Sequence, residues 1–410
     1  MHIILANRWY PPQANGGVAT YNYNLARALI TLGHQVTVVT ARLSAQEPVV
    51  NTEEGVTVHR LLTQQLPYLH HIPLLRRYLR TFQQMHYSVQ VARHLQKLQL
   101  NNPPDIIEFA EVNAEGWAYL RRQQRCPAVI RCHTPTFVLR DYYTASEMTY
   151  DTALTTQLEK FCIYHANART VPSQDMAQTL ARYLNTSVDQ FAVIPNPVDM
   201  TQTLTYDKEN VEAGERIVLH VGRLDRTKGI EVLAQAIPSI VHRFPDVRFV
   251  YVGIDRPTGN GNTWQQHLQA FFAQSGVAAN VIFTGSINQS ELSNWYRRAT
   301  IAVIPSLLYE SFSYTCAEAM AWGLPVIASR IGGISETVDH DTTGILVKPG
   351  DVAEFSEAII RLLENSELCQ RMGYAGWQKV QRNFLSEQIA RQMLGIYQQT
   401  AHTGFFNKHT

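Results

Sequence analysis

The sequence predicts an α/β protein with two loosely similar, Rossmann-like halves. The chain opens with a βαβ pattern of strand His2–Ala6, a helix from about Val18 to Leu32 and strand Gln35–Thr40. The same pattern begins again with strand Arg216–Val221 and a helix from about Gly229 to Val241. At about 100–200 residues per domain, a chain of 410 residues has room for two such domains.

Two features of the first half lie where ligands bind in α/β proteins. The pair Gly16-Gly17 stands where a loop enters the first helix, so a phosphate or sugar can approach the backbone there, although a plain turn explains the pair equally well. Strands Asp105–Phe109 and Ala128–Cys132 flank a helix predicted around Ala114–Gln123, and His133 follows the second strand directly. Because ligands bind at the carboxyl ends of parallel strands, His133 is either a site residue or a structural hydrogen-bonder.

The second half has two cations between its first strand and first helix. Arg223 and Lys228 are five residues apart in the segment GRLDRTKGI. Two fixed cations beside a helix N-terminus can hold a diphosphate, because both the charges and the free amides attract it. We therefore expect no metal ion to be needed at this site.

A second strand, loop and helix in this half carry two carboxylates. Strand Ile301–Ile304 ends at Pro305, Glu310 lies in the loop, and Glu318 lies in a helix that begins near Ser313. The helix N-terminus between the two carboxylates is an anion site. Two carboxylates aimed at a phosphate would repel it, so they are better suited to accept hydrogen bonds from hydroxyl groups. This arrangement suggests a nucleotide-sugar site with one glutamate for each sugar ring.

Composition excludes several classes of protein. Charged residues make up 17% of the chain and the net charge is +1, so there is no global attraction to nucleic acid. The five cysteines include no C-x-x-C pair, which favours reduced thiols. Met1–Ala6 is too short for a signal peptide, and no apolar run reaches the roughly 18 residues of a membrane span. We expect a cytoplasmic protein.

Asp339-His340-Asp341 has an Asp-x-Asp form, but its context indicates a surface turn.

Positive charge accumulates locally between residues 60 and 97. No Asp or Glu occurs from Gly55 to Pro104, and apolar residues recur at three- and four-residue steps from Leu74 to Leu95, as in one helix or two consecutive helices. An ordinary amphipathic helix explains this pattern. The alternative is a surface that rests on an anionic membrane at its inner face. The basic residues of this region are Arg60, Arg76, Arg77, Arg80, Arg93 and Lys97.

Several motifs together carry a family resemblance. Glu310 and Glu318 are separated by seven residues and are followed by GLPVIAS and a GG-x-x-E ending at Glu336, while Arg223 and Lys228 lie in a Gly-Arg-x-x-x-x-Lys-Gly motif. These motifs resemble the retaining glycosyltransferases of family 4, which use nucleotide sugars and have the GT-B fold. The chain differs from the family in having Ser311-Phe312-Ser313 in place of Gly-Phe-Gly. It also has Pro197 where the family's Pro-Asn-Gly-Val-Asp motif has glycine.

The resemblance implies a role for residues in both halves. Glu310 would lie at the transferred sugar, Glu318 would hold the ribose, and His133 would position the reacting sugar. Arg223 and Lys228 would neutralise the leaving diphosphate. The resemblance assigns catalysis to His133, Arg223, Lys228 and Glu310, and donor binding to Gly16, Gly17, Arg223, Lys228, Ile287, Glu310, Phe312, Ser313, Tyr314 and Glu318.

The GT-B fold that the resemblance implies consists of two Rossmann-like domains facing each other across a donor-binding cleft. The N-terminal, acceptor-side domain would comprise residues 1–198 and be completed by about 385–410, as the last helix crosses back onto it. The nucleotide-sugar domain would comprise residues 199–384. The polar segment Thr201–Glu215 reads as the linker between them.

The sequence thus predicts a retaining, metal-independent hexosyltransferase of carbohydrate biosynthesis. Its donor would be a nucleotide-diphosphate sugar, and its acceptor a hydroxyl group of a glycan, a lipid-linked saccharide or a small molecule. A sugar-nucleotide epimerase and a non-catalytic nucleotide-sugar binder stay open as alternatives. A glycoside hydrolase fits less well, because its two carboxyl groups must face one bond about 5–10 Å apart, whereas Glu310 and Glu318 lie in a loop and in the helix behind it.

Overall fold

The computed structural model describes residues 1–11, 16–42, 44, 46–63, 76–143, 148–203, 216–259 and 261–406. The chain divides into two units, Met1–Pro197 with Ser386–Thr410, and Val198–Leu385. Each unit is a Rossmann-like domain built on a mainly parallel sheet. Part of the first loop, residues 12–15, and most of the predicted linker, residues 204–215, lie outside the described residues.

The first unit has an eight-stranded sheet of order β3-β4-β2-β1-β5-β6-β7-β8. Every neighbouring pair is parallel except β3 with β4. The central order β4-β2-β1-β5-β6-β7 is the doubly wound arrangement, in which the strand order reverses between β1 and β5. The strands are β1 (His2–Ala6), β2 (Gln35–Arg42), β3 (Val50–Glu53), β4 (Val56–Leu62), β5 (Ile106–Ala110), β6 (Ala128–Arg131), β7 (Ala168–Val171) and β8 (Ala192–Val193).

Among the described residues of the N-terminal part of this unit, the α-helices are α1 (Gly17–Thr31), α2 (Leu79–Asn101), α3 (Trp117–Leu120), α4 (Thr136–Leu139), α5 (Tyr150–His165) and α6 (Gln174–Leu184). In the described part of the basic region, Arg60 lies in β4, Arg76 and Arg77 precede α2, and Arg80, Arg93 and Lys97 lie within α2. Residues 64–75 lie outside the description. The helix predicted around Ala114–Gln123 was too long. Asn113 and Ala114 adopt positive φ angles of 60° and 52°, which stop a helix, so only the one-turn α3 forms after Gly116.

The second unit has a fully parallel six-stranded sheet of order β11-β10-β9-β12-β13-β14. Its strand order reverses between β9 and β12. Buried residues alternate along the strands into two hydrophobic clusters, one for each face of the sheet. The strands are β9 (Ile217–Val221), β10 (Arg248–Val252), β11 (Val281–Gly285), β12 (Ile301–Ile304), β13 (Val326–Ser329) and β14 (Gly344–Val347). The helices are α7 (Ile230–Arg243), α8 (Trp264–Gln274), α9 (Gln289–Arg298), α10 (Tyr314–Ala321), α11 (Ile334–Thr337), α12 (Val352–Glu364) and α13 (Ser366–Asn383).

The C-terminal helix α14 (Ser386–Phe406) belongs to the first unit. Its Tyr397 is fully buried and donates a 2.7 Å hydrogen bond to Oε2 of Glu108 in β5. The buried carboxylate of Glu108 therefore has a donor that comes from the far end of the chain. Within the described ranges, no helix is both long and apolar enough to cross a membrane.

Candidate active site

In the second unit, the turn after β9 holds its two cations in place by local contacts. Residues Arg226–Lys228 form a 3₁₀ turn, and Oδ1 of Asp225 caps it by accepting a 3.2 Å hydrogen bond from the Lys228 amide. The other oxygen of Asp225, Oδ2, lies 3.1 Å from Nε of Arg223, whose side chain is half exposed. One aspartate thus orients the turn that carries both cations.

Gly229 lets this turn approach the end of β12. Its φ angle is +66°, and a Cβ atom at this position would lie 1.8 Å from the Pro305 carbonyl oxygen. Only glycine allows both the left-handed conformation and such a close approach of the two backbone segments. Because β9 and β12 flank the point where the strand order reverses, the two loops meet where doubly wound sheets bind ligands.

The close approach of the two loops brings Lys228 into contact with Glu310. The Lys228 ammonium forms an ion pair with Oε1 of Glu310, and Ser306 Oγ donates a 3.1 Å hydrogen bond to the same oxygen. The Glu310 main chain is also held, because its carbonyl oxygen accepts a 2.7 Å hydrogen bond from the Gly333 amide. The two side chains keep 28% and 20% of their exposure, so both remain open to a ligand.

The segment Phe312-Ser313-Tyr314 leads into α10. Ser313 caps the helix by accepting a hydrogen bond from the Cys316 amide at 3.3 Å, and its φ angle is −115°. Neither Ser311 nor Ser313 has a positive φ angle, so the loop does not need the glycines that the family usually has there. The first turn of α10 contains no acidic residue, which leaves its positive dipole end uncompensated. Phe312 is buried against the ring of Tyr314 at a centroid distance of 5.4 Å.

Glu318 lies inside α10 and is half-buried. Its Oε2 accepts a 3.2 Å hydrogen bond from the hydroxyl group of Tyr296 in α9. Burial raises the pKa of Glu318 to about 7, and the hydrogen bond from Tyr296 acts in the opposite direction. Ile287 lies in the turn between β11 and α9, and its side chain packs against the same hydrophobic cluster as Phe312.

In the first unit, Gly16 and Gly17 stand at the start of α1. Gly16 has a φ angle of 117°, and a Cβ atom there would have no neighbour within 4 Å among the residues that the structure describes. Gly17 is the first residue of the 15-residue helix, which has no side-chain cap hydrogen bond at its N-terminus. Among the described residues, no atom therefore blocks approach to the backbone on the side where Gly16 would carry a side chain.

His133 follows β6 and is 6% exposed. Its amide donates a 2.8 Å hydrogen bond to Oε2 of Glu111, and its ring meets the ring of Tyr21 edge-on at 5.1 Å. Burial and the nearby Arg131 guanidinium hold the pKa of His133 well below its usual value, so the imidazole is neutral. Its Nε2 atom is buried without a hydrogen-bond partner among the described residues.

Several buried ionisable residues near His133 were not predicted from the sequence. Glu111 is fully buried, and burial raises its pKa to about 7. Glu159 accepts hydrogen bonds from the amide and hydroxyl groups of Thr136, both at 2.8 Å, and burial raises its pKa to about 8. Glutamates inside and just after the apolar strand IIEFAEV were the signal that could have found Glu111. No comparable pattern marked Glu159.

The carboxylates of the Asp-x-Asp turn are paired with cations. Asp339 lies 2.8 Å from the Lys379 ammonium, and Asp341 lies 2.9 Å from the Arg361 guanidinium. Nδ1 of His340 accepts a hydrogen bond from the Leu346 amide at 3.0 Å. In the part of the chain that the structure describes, no three histidine, cysteine or acidic side chains group in a way that would hold a metal ion.

Known proteins that are similar to this chain over almost its whole length include glycosyltransferases. The chain is 26% identical over 413 residues to an uncharacterized glycosyltransferase of Methanocaldococcus jannaschii, covering 97% of this chain and 98% of that one. Sucrose-phosphate synthase from Thermosynechococcus elongatus superposes with a TM-score of 0.80 at 26% identity, covering 97% and 99% of the two chains. Anabaena HepE, solved in complex with UDP-glucose, shares the fold with a TM-score of 0.74 at 19% identity, covering 97% and 100%.

Two family models match the two parts of the chain in succession. The model described as Glycosyltransferase Family 4 matches residues 15–202, and the model described as Glycosyl transferases group 1 matches residues 202–379. The two matches meet at residue 202, and the second contains the turn of Arg223 and Lys228 and both glutamates. The chain therefore belongs to the family 4 glycosyltransferases, with their GT-B fold.

Proposed function

We propose that this glycosyltransferase moves a hexose from a nucleoside-diphosphate sugar to an acceptor hydroxyl group with retention of the anomeric configuration. The observation that carries the proposal is the ion pair between Lys228 and Glu310 beside the N-terminus of α10. A cation, a carboxylate suited to a sugar and the amides of a helix N-terminus thus meet at the point where the strand order reverses. A diphosphate with a sugar attached needs these three groups together.

In this proposal, the main catalytic effect is stabilisation of the leaving diphosphate. Arg223, Lys228 and the amides of the Phe312–Tyr314 segment are fixed before the reaction, so they stabilise the growing negative charge without reorganising. These groups supply the positive charge that a metal ion provides in other transferases. We therefore propose that the reaction needs no metal ion.

The ion pair also suggests an order of events. A bound diphosphate would compete with Glu310 for the Lys228 ammonium, because it carries more charge. Glu310 would then be free to accept hydrogen bonds from the hydroxyl groups of the donor sugar, while Ser306 and the Gly333 amide keep it in place. Donor binding would thus replace the ion pair by two contacts with the donor, one from Lys228 to the diphosphate and one from Glu310 to the sugar hydroxyl groups.

Retention follows if the acceptor attacks from the face that the diphosphate leaves. The bond between the anomeric carbon and the diphosphate oxygen breaks, the bond to the acceptor oxygen forms, and the acceptor proton passes to the departing diphosphate. No side-chain base is required. We assign the ribose to Glu318, the nucleotide base to the backbone near Ile287, and contacts with the donor diphosphate to Gly16 and Gly17. His133, as a neutral imidazole, would hydrogen-bond the reacting sugar.

One assay distinguishes transfer from three alternatives, which are hydrolysis, epimerisation of the donor and binding without turnover. Purified protein is mixed with a panel of nucleotide sugars, with and without saccharide acceptors, and both free nucleoside diphosphate and intact donor are followed. Release that depends on an acceptor supports transfer. Release to water alone would indicate a hydrolase, an altered but intact donor would indicate an epimerase, and binding without turnover would indicate a binding protein. The anomeric configuration of the product, determined by NMR, decides retention.

We further propose that the enzyme is cytoplasmic and rests on the inner face of a membrane, with a saccharide or lipid-linked acceptor. Arg76 and Arg77 are exposed just before α2, and Arg80 is exposed in its first turn. The Arg77 guanidinium lies 4.8 Å from the ring centroid of Tyr150, which is 57% exposed. Arginine beside exposed tyrosine suits an anionic lipid surface, where the aromatic ring lies among the headgroups.

Flotation with liposomes tests this surface. The protein should float with vesicles that contain about 30% anionic lipid at low salt, lose that binding as salt is raised, and ignore neutral vesicles. The double variant Arg77→Gln, Arg80→Gln should bind several-fold more weakly. Arg371→Gln, which removes an exposed arginine of the second unit, is the matched control. Equal flotation with anionic and neutral vesicles would contradict the proposal.

A further inference from the structure

Tyr296 lies behind the proposed donor site and is held there by stacking. It is 1% exposed in α9, and its ring stacks on Trp322 with a centroid distance of 6.5 Å and an interplanar angle of 11°. Trp322 follows α10 directly, and the guanidinium of Arg297 lies 5.4 Å from its ring centroid. The position of the Tyr296 ring is therefore fixed independently of its hydroxyl group.

The hydroxyl group of Tyr296 reaches the one carboxylate that we assign to the ribose. It donates to Oε2 of Glu318 at 3.2 Å. Within the described residues, no other hydrogen bond to this carboxylate is found, and the side chain is only half-buried. A carboxylate can accept about four hydrogen bonds. Tyr296 occupies one of these acceptor positions and leaves the others for a ligand.

The contact has two physical consequences. It fixes the rotation of the carboxylate, because Oε2 must face Tyr296 and Oε1 must then face away from it. It also favours the ionised form, since a hydrogen bond donated to a charged carboxylate stabilises that charge against burial. Both effects prepare Glu318 to accept hydrogen bonds from two neighbouring hydroxyl groups.

Resting on the proposed function, we infer that Tyr296 is a positioning residue, which orients Glu318 so that it binds the vicinal 2′- and 3′-hydroxyl groups of the donor ribose. Tyr296 itself would not touch the nucleotide. Its removal should therefore weaken recognition of the ribose and leave recognition of the diphosphate intact. This separation distinguishes positioning from a general loss of structure.

The test compares a nucleoside diphosphate with its 2′,3′-dideoxy analogue by isothermal titration calorimetry. The nucleoside diphosphate is the one that binds most tightly in the donor panel. The wild-type protein should prefer the ribose form by about 10-fold or more, since hydrogen bonds to a charged group are lost with the hydroxyls. Tyr296→Phe should lower this preference to about threefold or less, while the Kd of the dideoxy analogue changes little. The substitution keeps the stacked ring, and circular dichroism checks the fold.

The matched control is Tyr251→Phe. Tyr251 is also 1% exposed in the second unit, and its hydroxyl group is buried without a hydrogen-bond partner among the described residues. This variant should keep the full preference for ribose. If it loses that preference as much as Tyr296→Phe does, the effect is a general one and the inference is wrong.

The variant Glu318→Gln separates failure of the inference from failure of the proposed function. If Tyr296 acts only through Glu318, Tyr296→Phe should cost nothing further in the Glu318→Gln background. An equal cost in both backgrounds would overturn the positioning role. A full preference for ribose in Tyr296→Phe, together with its loss in Glu318→Gln, would remove Tyr296 but keep the ribose site. A wild-type protein with no preference would refute the ribose assignment itself and the inference with it.

Discussion

Replacing Lys228 by methionine removes one positive charge and keeps most of the side-chain volume. The structure indicates that the fold should tolerate this change. The Lys228 side chain keeps 28% of its exposure and pairs with Glu310, which retains its hydrogen bonds from Ser306 and from the Gly333 amide. Loss of a partly exposed ion pair should lower the free energy of unfolding by no more than about 1 kcal/mol.

The expected effect on catalysis is much larger. A preplaced donor aimed at charge that develops in the transition state is worth about 2.7–4 kcal/mol, or 10²–10³ in kcat. If Lys228 stabilises the leaving diphosphate, Lys228→Met should lower kcat by about that factor. The assay is the initial rate of acceptor-dependent release of nucleoside diphosphate, and the stability check is thermal unfolding of the same sample.

Arg226 offers a matched control, because it is an exposed cation in the same 3₁₀ turn. Arg226→Met should keep kcat within about threefold of the wild-type value, since an exposed cation away from the transferred group stabilises little. Two results would refute the reasoning: a Lys228→Met enzyme with near-normal turnover, or equal losses in the two variants. Either result would mean that the positive charge of Lys228 does not specifically stabilise the leaving diphosphate.

Three further substitutions test other parts of the account. Gly229→Ala places a Cβ atom 1.8 Å from the Pro305 carbonyl oxygen at a φ angle of +66° and should destabilise the second unit by more than about 2 kcal/mol. Gly259→Ala, at +90° and with no neighbour within 4 Å among the described residues, should cost about 1 kcal/mol in thermal unfolding. Burial raises the pKa of Glu115 from 4.5 to about 8, so its contribution to stability is present below pH 4.5 and is lost as the pH rises to 8. Glu115→Gln should therefore stabilise the protein by roughly 2–4 kcal/mol at pH 8 and little at pH 4.5, and equal effects in urea denaturation at both pH values would contradict this. Ser313→Gly should cost only a few tenths of a kcal/mol as a helix cap and keep kcat within about threefold; a large loss of turnover would assign the hydroxyl group a direct contact with the donor.

Local spacing was enough to predict much of the second unit. Strands β9 and β12 were recognisable as short apolar runs, and Arg223, Lys228 and Glu310 were placed just beyond their carboxyl ends. In a parallel sheet those ends share one edge. The sequence therefore predicted which loops meet, and the structure brings Lys228 and Glu310 into an ion pair there. The assignment of these residues to the donor stays a prediction.

Contacts between distant segments could not be predicted from the sequence. The hydrogen bond from Tyr296 to Glu318 joins two helices, and neither spacing nor composition specifies the packing that brings them together. The same holds for Glu159 with Thr136, and for Tyr397 with Glu108 in β5. The helix expected around Ala114–Gln123 was predicted too long for a different reason. Positive φ angles at Asn113 and Ala114 are set by the surrounding tertiary structure, which overrides helix propensity.

The loop with serines in place of the family's glycines shows what a motif alone leaves open. Glycine in a phosphate-binding loop suggests either a left-handed conformation or close backbone approach. Here Ser313 has a φ angle of −115° and caps α10 through its side chain. The left-handed conformation is therefore not needed at this position, and close approach of the backbone to the donor diphosphate stays a prediction.

A crystal structure of the protein with a nucleoside diphosphate would show whether these residues hold the diphosphate. We predict that oxygen atoms of the diphosphate lie within hydrogen-bond distance of Arg223, Lys228 and an amide at the start of α10, with the ion pair between Lys228 and Glu310 broken. A diphosphate bound elsewhere, with that ion pair intact and Arg223 turned away from the nucleotide, would contradict it.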